Sequence, residues 1–240
     1  LIQSIESEKI RIIQSKWNDS MQDRGYVYGQ QKMIAQFNCT GDWAFYVEGD
    51  EVYHENDLEK IQSSMQAHVD DQNVEALVVD FYHFYGNANS YLSSPGWYRS
   101  EARIIKNSVR SYAPDGLFWL VLDSNKKGRY PKAKHTAVHC YHYGWIRSED
   151  EMNLKSEKVQ KYWSGKPVKI DYSQMDQSII KQFSGTHPAV VHDWLPRAEG
   201  VFQVDRKYTL TKKQKKHRIM LKLEKLFGLE LSKKHFKLVK

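Results

Sequence analysis

The sequence predicts an α/β fold, with a mainly parallel central sheet flanked by helices and a basic C-terminal helical tail. The sheet is predicted because apolar, β-rich runs alternate with segments of helical length, the pattern of crossover units. A hydrophobic content of 40% in 240 residues is enough for a substantial core. The tail is predicted by charge, since residues 206–240 carry a net charge of +11 and residues 1–205 a net charge of −4. We therefore expect a domain at 1–205 and a basic helical extension at 206–240.

The first part of the chain predicts alternating strands and helices. Residues 1–7, LIQSIES, are typical of the last turns of an amphipathic helix. Because the chain begins with Leu rather than Met, we expect it to be a piece of a longer protein. From hydrophobic runs and their spacing we predict strands at 9–13, 43–47 and 75–86, and helices at 26–37 and 56–69, the second capped by Asn56.

The second part of the chain is more irregular. Between Gly86 and Pro131, residues that favour turns interrupt the sequence often, which predicts short strands and loops that cover a site. A further strand is predicted at 136–145, a polar helix at 148–162, and a short helix after Pro188. No apolar run approaches the roughly 20 residues that cross a bilayer.

The two cysteines, Cys39 and Cys140, are far apart in the sequence. Their spacing supplies neither a disulfide framework nor a zinc-ligand motif, so we expect a reducing, cytoplasmic setting. We expect each to be a small buried apolar residue, as free cysteines usually are.

The most informative stretch is DWAFYVEGDEVYHE, residues 42–55, in which an apolar run ends at Glu48, Asp50 and Glu51. Side chains alternate along a strand, so Glu48 and Asp50 are expected to share a face where the chain leaves the sheet. Ligands bind beyond the carboxyl ends of strands in open parallel sheets, and carboxylates are preferred ligands of Mg²⁺ and Mn²⁺. A solvated acidic turn is the alternative interpretation of the same residues.

This stretch resembles the metal-binding segment of GT-A-type, family-2-like glycosyltransferases, written roughly D-W-x-x-Y-x-x-x-D-E-x-x-H-E. Upstream, DRGYVYGQQKMI (23–34) is similar to the glycine-then-helix segment of that family, and downstream CYHYGWIR (140–147) is similar to its strand with a late histidine. The resemblance covers about residues 9–165 and implies a GT-A-like fold. The matching positions in the acidic segment are Asp42, Trp43, Tyr46, Asp50, Glu51, His54 and Glu55.

The resemblance implies a role for each matched residue. Asp50 would bind Mn²⁺ or Mg²⁺ that bridges the diphosphate of a nucleotide-sugar donor, and His142 would complete the metal site from another strand. Glu48 stands where many members have the first acid of a D-x-D motif, so it is a departure from the family pattern. The residues implied at the donor site are Gly25, Lys32 and Glu51.

The implied reaction is an inverting transfer of a sugar to a glycan or lipid-linked glycan acceptor, in which a carboxylate removes the proton of the acceptor hydroxyl. Asp115 is the preferred base, Asp80 and Glu101 are competitors, and an ordinary turn Asp before Gly is the alternative interpretation of Asp115. Trp97 and Trp119 are candidate walls of the acceptor site. In the family, the donor's base and ribose are received by a strand and loop upstream of LIQSIES, so we expect this chain alone to have weak or no activity.

The tail predicts a basic amphipathic helix over 211–229, with Ile219, Leu223, Leu226 and Phe227 at helical spacings. Such a helix can rest on anionic lipid or bind an acidic partner. Because many enzymes of the resembled family add sugars to membrane-associated glycans, the resemblance implies a cytoplasmic protein held peripherally on the inner face of the membrane. The alternative is that the apolar stripe docks on the domain.

Two other functions would use the same features. Nucleic-acid binding by the tail is not expected, because no helix-turn-helix, zinc-finger or aromatic RNA motif accompanies the charge. A metal-dependent nucleotidyl- or phosphotransferase would use the same acidic residues, but the sequence has no glycine-rich phosphate-binding loop.

Overall fold

The computed structural model describes residues 2–163, 168–195 and 203–239, which form a mixed α/β fold. The helices are α1 (Tyr26–Phe37), α2 (Leu58–His68), α3 (Glu149–Gln160) and α4 (Lys212–Phe227). The strands of the main sheet are β1 (Trp43–Phe45), β2 (Glu51–Tyr53), β3 (Ala76–Tyr85), β4 (Asn87–Leu92), β5 (Ser100–Lys106), β9 (Lys132–Trp145), β10 (Ile180–Gln182) and β11 (Lys237–Leu238). A second, small sheet contains β6 (Ser111–Tyr112), β7 (Leu120–Leu122) and β8 (Gly128–Arg129).

Strand β3 lies at the centre of the main sheet. One edge of β3 pairs in parallel with β9 along most of its length, and the other edge pairs antiparallel with β5 and then with β4. The far edge of β9 carries β11, in parallel, and β2, antiparallel. Strands β1 and β10 extend the sheet antiparallel on β5 and β4. The predicted α/β class is confirmed. The β3–β9 and β9–β11 pairings are parallel, and every other pairing among the main-sheet strands named above is antiparallel, so the sheet is less parallel than predicted.

The core covers both faces of β3 and β5, which explains why their sequences are apolar without strict alternation. Trp119 is 1% exposed, and its indole Nε1–H donates to Gln36 of α1 at 2.8 Å. Because this ring fills the space between α1 and the sheet, Trp119 belongs to the core and does not line an acceptor site. Of the two cysteines, Cys140 is buried as predicted, whereas the prediction for Cys39 is wrong because it is exposed.

Three local predictions differ from the structure. Residues 9–13 form no strand, and their isoleucines are 38–45% exposed, because β propensity without a neighbouring strand to pair with does not make a strand. The strand predicted at 43–47 ends at Phe45. Asn56 does not cap α2, because a short 3₁₀ helix at Glu55–Asp57 precedes it. The ring of His54 caps this 3₁₀ helix by accepting the backbone N–H of Asn56.

The C-terminal segment packs against the domain instead of extending away from it. Phe236 lies in the core, and β11 joins the sheet beside β9. In α4, Arg218 binds the carboxylate of Asp176 through two N–H groups at 2.7 and 2.8 Å. In the part of the chain that the structure describes, no helix has the length and apolar character needed to span a membrane.

The Arg218 contact predicts a measurable contribution to stability. Asp176 is 1% exposed, so removing its cationic partner leaves a buried carboxylate poorly compensated. Because the Arg218 side chain itself is 46% exposed, we expect Arg218→Gln to lower the free energy of unfolding by about 2 kcal/mol. Urea denaturation checks this value. The control is Arg206→Gln, at an exposed position, with an expected change below about 0.5 kcal/mol; equal effects of the two variants would contradict the prediction.

Candidate metal centre

Asp50 and His142 are brought together by the pairing of β2 with β9. Asp50 lies in the turn that precedes β2, which is closed by a hydrogen bond from the Glu51 N–H to the Glu48 carbonyl at 3.0 Å. The carbonyl of Asp50 then accepts the Tyr143 N–H at 2.8 Å, which ties the turn to β9. As a result, Oδ1 of Asp50 lies 3.7 Å from Nε2 of His142. The two residues that the family resemblance assigns to the metal are therefore neighbours in the structure.

A chain of hydrogen bonds fixes the proton positions on the two adjacent histidines. Nε2 of His83 lies 2.7 Å from the carbonyl oxygen of Tyr98, and a carbonyl only accepts, so this nitrogen carries the proton. In neutral His83, Nδ1 is then an acceptor, and it lies 3.0 Å from Nδ1 of His142. His142 therefore carries its proton on Nδ1, and the lone pair on its Nε2 faces Asp50. A fixed tautomer of this kind is typical of histidines that bind metals.

Burial keeps both histidines uncharged at neutral pH. It lowers the pKa of His83 to about 3 and the pKa of His142 to about 4. Burial alone would raise the pKa of Asp50, but His142 and Lys155 together hold that pKa below its ordinary value, so the carboxylate is ionised. An anionic oxygen and a nitrogen lone pair thus face each other without a shared proton, which is an arrangement suited to a cation.

Gly144 keeps the space between these two groups open. A Cβ atom at this position would lie 2.6 Å from Oδ2 of Asp50 and 2.7 Å from Nε2 of His142. On the other side, the ammonium group of Lys155 in α3 donates to Oδ2 of Asp50 at 3.0 Å. The gap is therefore bounded by a carboxylate, an imidazole and a glycine, with a permanent positive charge beside it.

Two facing side chains are fewer than a structural metal site uses. Among the described residues, no group of three or more His, Cys, Asp and Glu side chains could hold a metal ion. Structural zinc usually has four protein ligands, whereas Mg²⁺ is usually bound by one or two carboxylates together with water and substrate phosphates. Asp50 and His142 would supply the protein part of such a site.

Glu48 faces a different partner. Strand alternation does not apply to Glu48 and Asp50, because β1 ends at Phe45 and residues 48–51 form a turn. The Glu48 carboxylate lies 3.4 Å from the guanidinium of Arg103 and is 39% exposed. The structure thus brings together Asp50 and His142 of the predicted ligands, and leaves Glu48 beside Arg103.

Glu51 is directed into the protein, although the resemblance implies a donor-site role. Its carboxylate forms an ion pair with Arg103, and the two side chains are 1% and 0% exposed. Burial raises the pKa of Glu51, and the charge of Arg103 opposes that shift. The second carboxylate oxygen accepts the Glu48 N–H at 3.1 Å. Glu51 therefore holds the turn that carries Asp50.

Gly25 and Lys32, the other implied donor residues, lie just before α1 and on α1, and both have packing contacts. Gly25 precedes the helix with φ of +71°, and a Cβ there would lie 2.6 Å from the ring of Trp163. Lys32 is 3% exposed, and its ammonium lies 3.7 Å from the ring centre of Trp119 and 4.2 Å from that of Tyr46. Burial lowers the pKa of Lys32 well below its ordinary value.

The three candidate bases have different environments. Asp115 accepts the Leu117 N–H at 2.8 Å and borders a cavity of about 470 Å³. Glu101 is fully buried and bound to His235 at 2.6 Å, so an acceptor hydroxyl could not reach it without rearrangement. Asp80 is half-buried and bound to Ser100 and His135. The ring of Trp97 is half-buried, and its centre lies 5.4 Å from the ring centres of both His83 and Trp145.

Sequence reasoning missed four residues of the site: His83, Arg103, Gly144 and Lys155. His83 and His142 are registered partners in the β3–β9 pairing, so the signal for His83 was its place in a neighbouring strand. Gly144 lies within the quoted stretch CYHYGWIR but was assigned no role there, and Arg103 and Lys155 lie in no motif that distinguishes them from other cations.

Neither a protein-family model nor a curated protein matches the sequence. The resemblance to family-2-like glycosyltransferases therefore rests on the motifs quoted above. The chemistry of the site rests on its geometry.

Proposed function

We propose that the protein is a metal-dependent, GT-A-type glycosyltransferase that moves a sugar from a nucleotide-sugar donor to a glycan or lipid-linked glycan, with inversion. The observation that carries this proposal is the facing pair of Asp50 and His142, with 3.7 Å between Oδ1 and Nε2. The family resemblance had assigned both residues to the cation, and the tautomer of His142 presents a lone pair to the gap. Gly144 leaves room for the ion.

Bound Mn²⁺ or Mg²⁺ would supply positive charge that offsets the charge growing on the departing diphosphate. The chain's own residues prepare this site. His83 fixes the orientation of His142, and the Glu51–Arg103 pair holds the turn of Asp50. Lys155, 3.0 Å from Asp50, adds a cation that attracts phosphate oxygens to the same place.

Asp115 is our proposed base for the acceptor. Its Oδ1 accepts the Leu117 N–H, which fixes the carboxylate and leaves Oδ2 to take the proton of an acceptor hydroxyl. The cavity that it borders is also lined by Tyr26 of α1 and by residues 20–24. A sugar hydroxyl bound there would meet a carboxylate already held in one orientation.

Calorimetric titration with Mn²⁺ in the presence of UDP or GDP tests the metal site. We expect saturable uptake by the natural chain and a loss of affinity of about tenfold to a hundredfold in Gly144→Ala, because the added methyl occupies the gap. Gly49→Ala is the matched control, since a Cβ at Gly49 meets no atom within 4 Å. Absence of uptake by the natural chain, or equal affinities in the two variants, would overturn the proposal.

The products distinguish sugar transfer from the nucleotidyl- or phosphotransferase alternative. Incubation with nucleotide sugars, with and without EDTA, should release a nucleoside diphosphate and free or transferred sugar only when metal is present. Release of a nucleoside monophosphate or of a sugar 1-phosphate would indicate attack at phosphorus and would support the alternative. Thermal denaturation of each variant verifies that it is folded.

A further inference from the structure

The outward face of α4 is both apolar and basic. Ile219, Leu223, Leu226 and Phe227 are 60, 40, 73 and 62% exposed. Residues three and four apart lie on one face of a helix, so several lysines lie among these apolar side chains. They are Lys212, Lys215, Lys216 and Lys222, all exposed. This helix therefore presents to solvent the stripe that a surface helix normally buries.

The inward face of α4 is held to the domain mainly by polar contacts. Glu224 is 8% exposed and pairs with Arg99, and its carboxylate also accepts the Leu231 N–H at 2.6 Å. Arg218 binds Asp176 on the same side of the domain. The alternative in which the apolar stripe docks on the domain is thus wrong, because these ion pairs fix the opposite face inward.

A cavity of about 750 Å³ lies between α4 and the β4–β10 edge of the sheet. Five of its lining residues are basic: Arg99, Lys181, Arg218, Lys222 and Lys225. The two arginines are paired with carboxylates, but within the described ranges no carboxylate lies within 4 Å of the three lysine ammonium groups. The cavity is thus an anion-attracting space directly beside the exposed apolar face.

We propose that α4 seats the protein on an anionic membrane surface, with its apolar side chains in the lipid interface and the cavity lysines holding headgroup phosphates. Apolar burial combined with attraction of lysines to anionic lipid is the way amphipathic helices bind bilayers. A second copy of this chain is a poorer occupant, because it would oppose lysines with lysines. A nucleic acid would leave the apolar side chains without a role. This inference does not depend on the proposed sugar transfer.

Vesicle flotation tests the apolar part of the proposal. We expect the natural chain to float with phosphatidylcholine vesicles that contain phosphatidylglycerol and not with pure phosphatidylcholine. The double variant Leu226→Ser/Phe227→Ser should bind the anionic vesicles at least about tenfold more weakly, because both apolar side chains are lost from the lipid interface. Phe37→Ser is the matched control, since Phe37 also ends a helix and is 79% exposed, and it should bind as the natural chain does.

The cavity is tested by two double variants that remove the same charge from the same helix. Lys222→Gln/Lys225→Gln removes cavity lysines, and Lys213→Gln/Lys216→Gln removes lysines that do not line the cavity. If the cavity holds headgroup phosphates, the first variant should lose at least about fivefold more affinity than the second. Equal losses would mean diffuse attraction only and would overturn the headgroup site.

Other outcomes overturn the membrane assignment itself. The membrane assignment is wrong if the natural chain does not float with anionic vesicles at low salt, or if it floats equally well with neutral and anionic vesicles. A dimer in analytical ultracentrifugation that Leu226→Ser/Phe227→Ser dissociates would assign the face to a second copy. Two observations together would assign the face to nucleic acid. Duplex DNA added at equal charge would abolish flotation, and the serine variant would bind DNA as well as the natural chain does.

Discussion

Asp50→Ala is expected to lower metal-dependent hydrolysis of nucleotide sugars by about 10²- to 10³-fold and to remove Mn²⁺ uptake. The substitution deletes the anionic member of the facing pair and leaves His142 as the remaining protein ligand. It also frees Lys155, whose ammonium then lies beside the gap without its carboxylate and repels a cation. The measurement is the initial rate of nucleoside diphosphate release over a range of Mn²⁺ concentrations.

Two further variants sharpen this result. Asp50→Asn keeps the shape of the side chain but not its charge, so it should resemble the alanine variant in metal uptake. Asp70→Ala removes an exposed carboxylate elsewhere and should change neither rate nor uptake. A rate that is independent of metal, or an Asp50→Ala variant that takes up Mn²⁺ as the natural chain does, would rule out the centre described above.

Arg103→Met is expected to lower the free energy of unfolding by about 3–5 kcal/mol, the largest effect on stability that the structure predicts. Arg103 is fully buried, and its guanidinium is the charge partner of the buried Glu51. Without it, Glu51 remains as a carboxylate in the interior with no cationic partner, and the main opposition to the pKa-raising effect of burial is lost. Urea denaturation, with the slope compared between variants, measures the loss.

The double variant Arg103→Met/Glu51→Leu separates the charge effect from packing. Replacing both partners of a buried ion pair by apolar residues removes the isolated charge, so we expect much of the lost stability to return. Because Glu51 also accepts the Glu48 N–H, the double variant should still bind Mn²⁺ poorly through a loosened turn. A double variant less stable than Arg103→Met would refute this account of the pair.

Much of the architecture could be predicted from local patterns. Helix α1 has the predicted bounds, and β3 and β9 differ from prediction by a few residues, because long periodic or apolar segments carry a strong signal. The stretch at 9–13 is also rich in β-branched residues but forms no strand, since pairing with a neighbour is a tertiary property.

Residues of the candidate site could be predicted only where they lie in one of the quoted motifs. Asp50 and His142 were found through the resemblance, and the structure places them together. His83 and Arg103 could not be found in this way, because each acts through a residue distant in sequence: His142 across the β3–β9 register and Glu51 across the core. Likewise, the spacing of α4 predicts an amphipathic helix, but the direction of its faces is decided by Arg99 and Asp176 on other elements.

The peptide group between Tyr98 and Arg99 lies between the histidine pair and helix α4. Its carbonyl oxygen accepts the hydrogen bond from Nε2–H of His83, and the side chain of Arg99 binds Glu224 of α4. Since a peptide group is planar and stiff, a displacement of the Arg99 backbone also moves that oxygen. A movement of the C-terminal helix that shifted the Arg99 backbone would therefore also shift the oxygen that His83 binds.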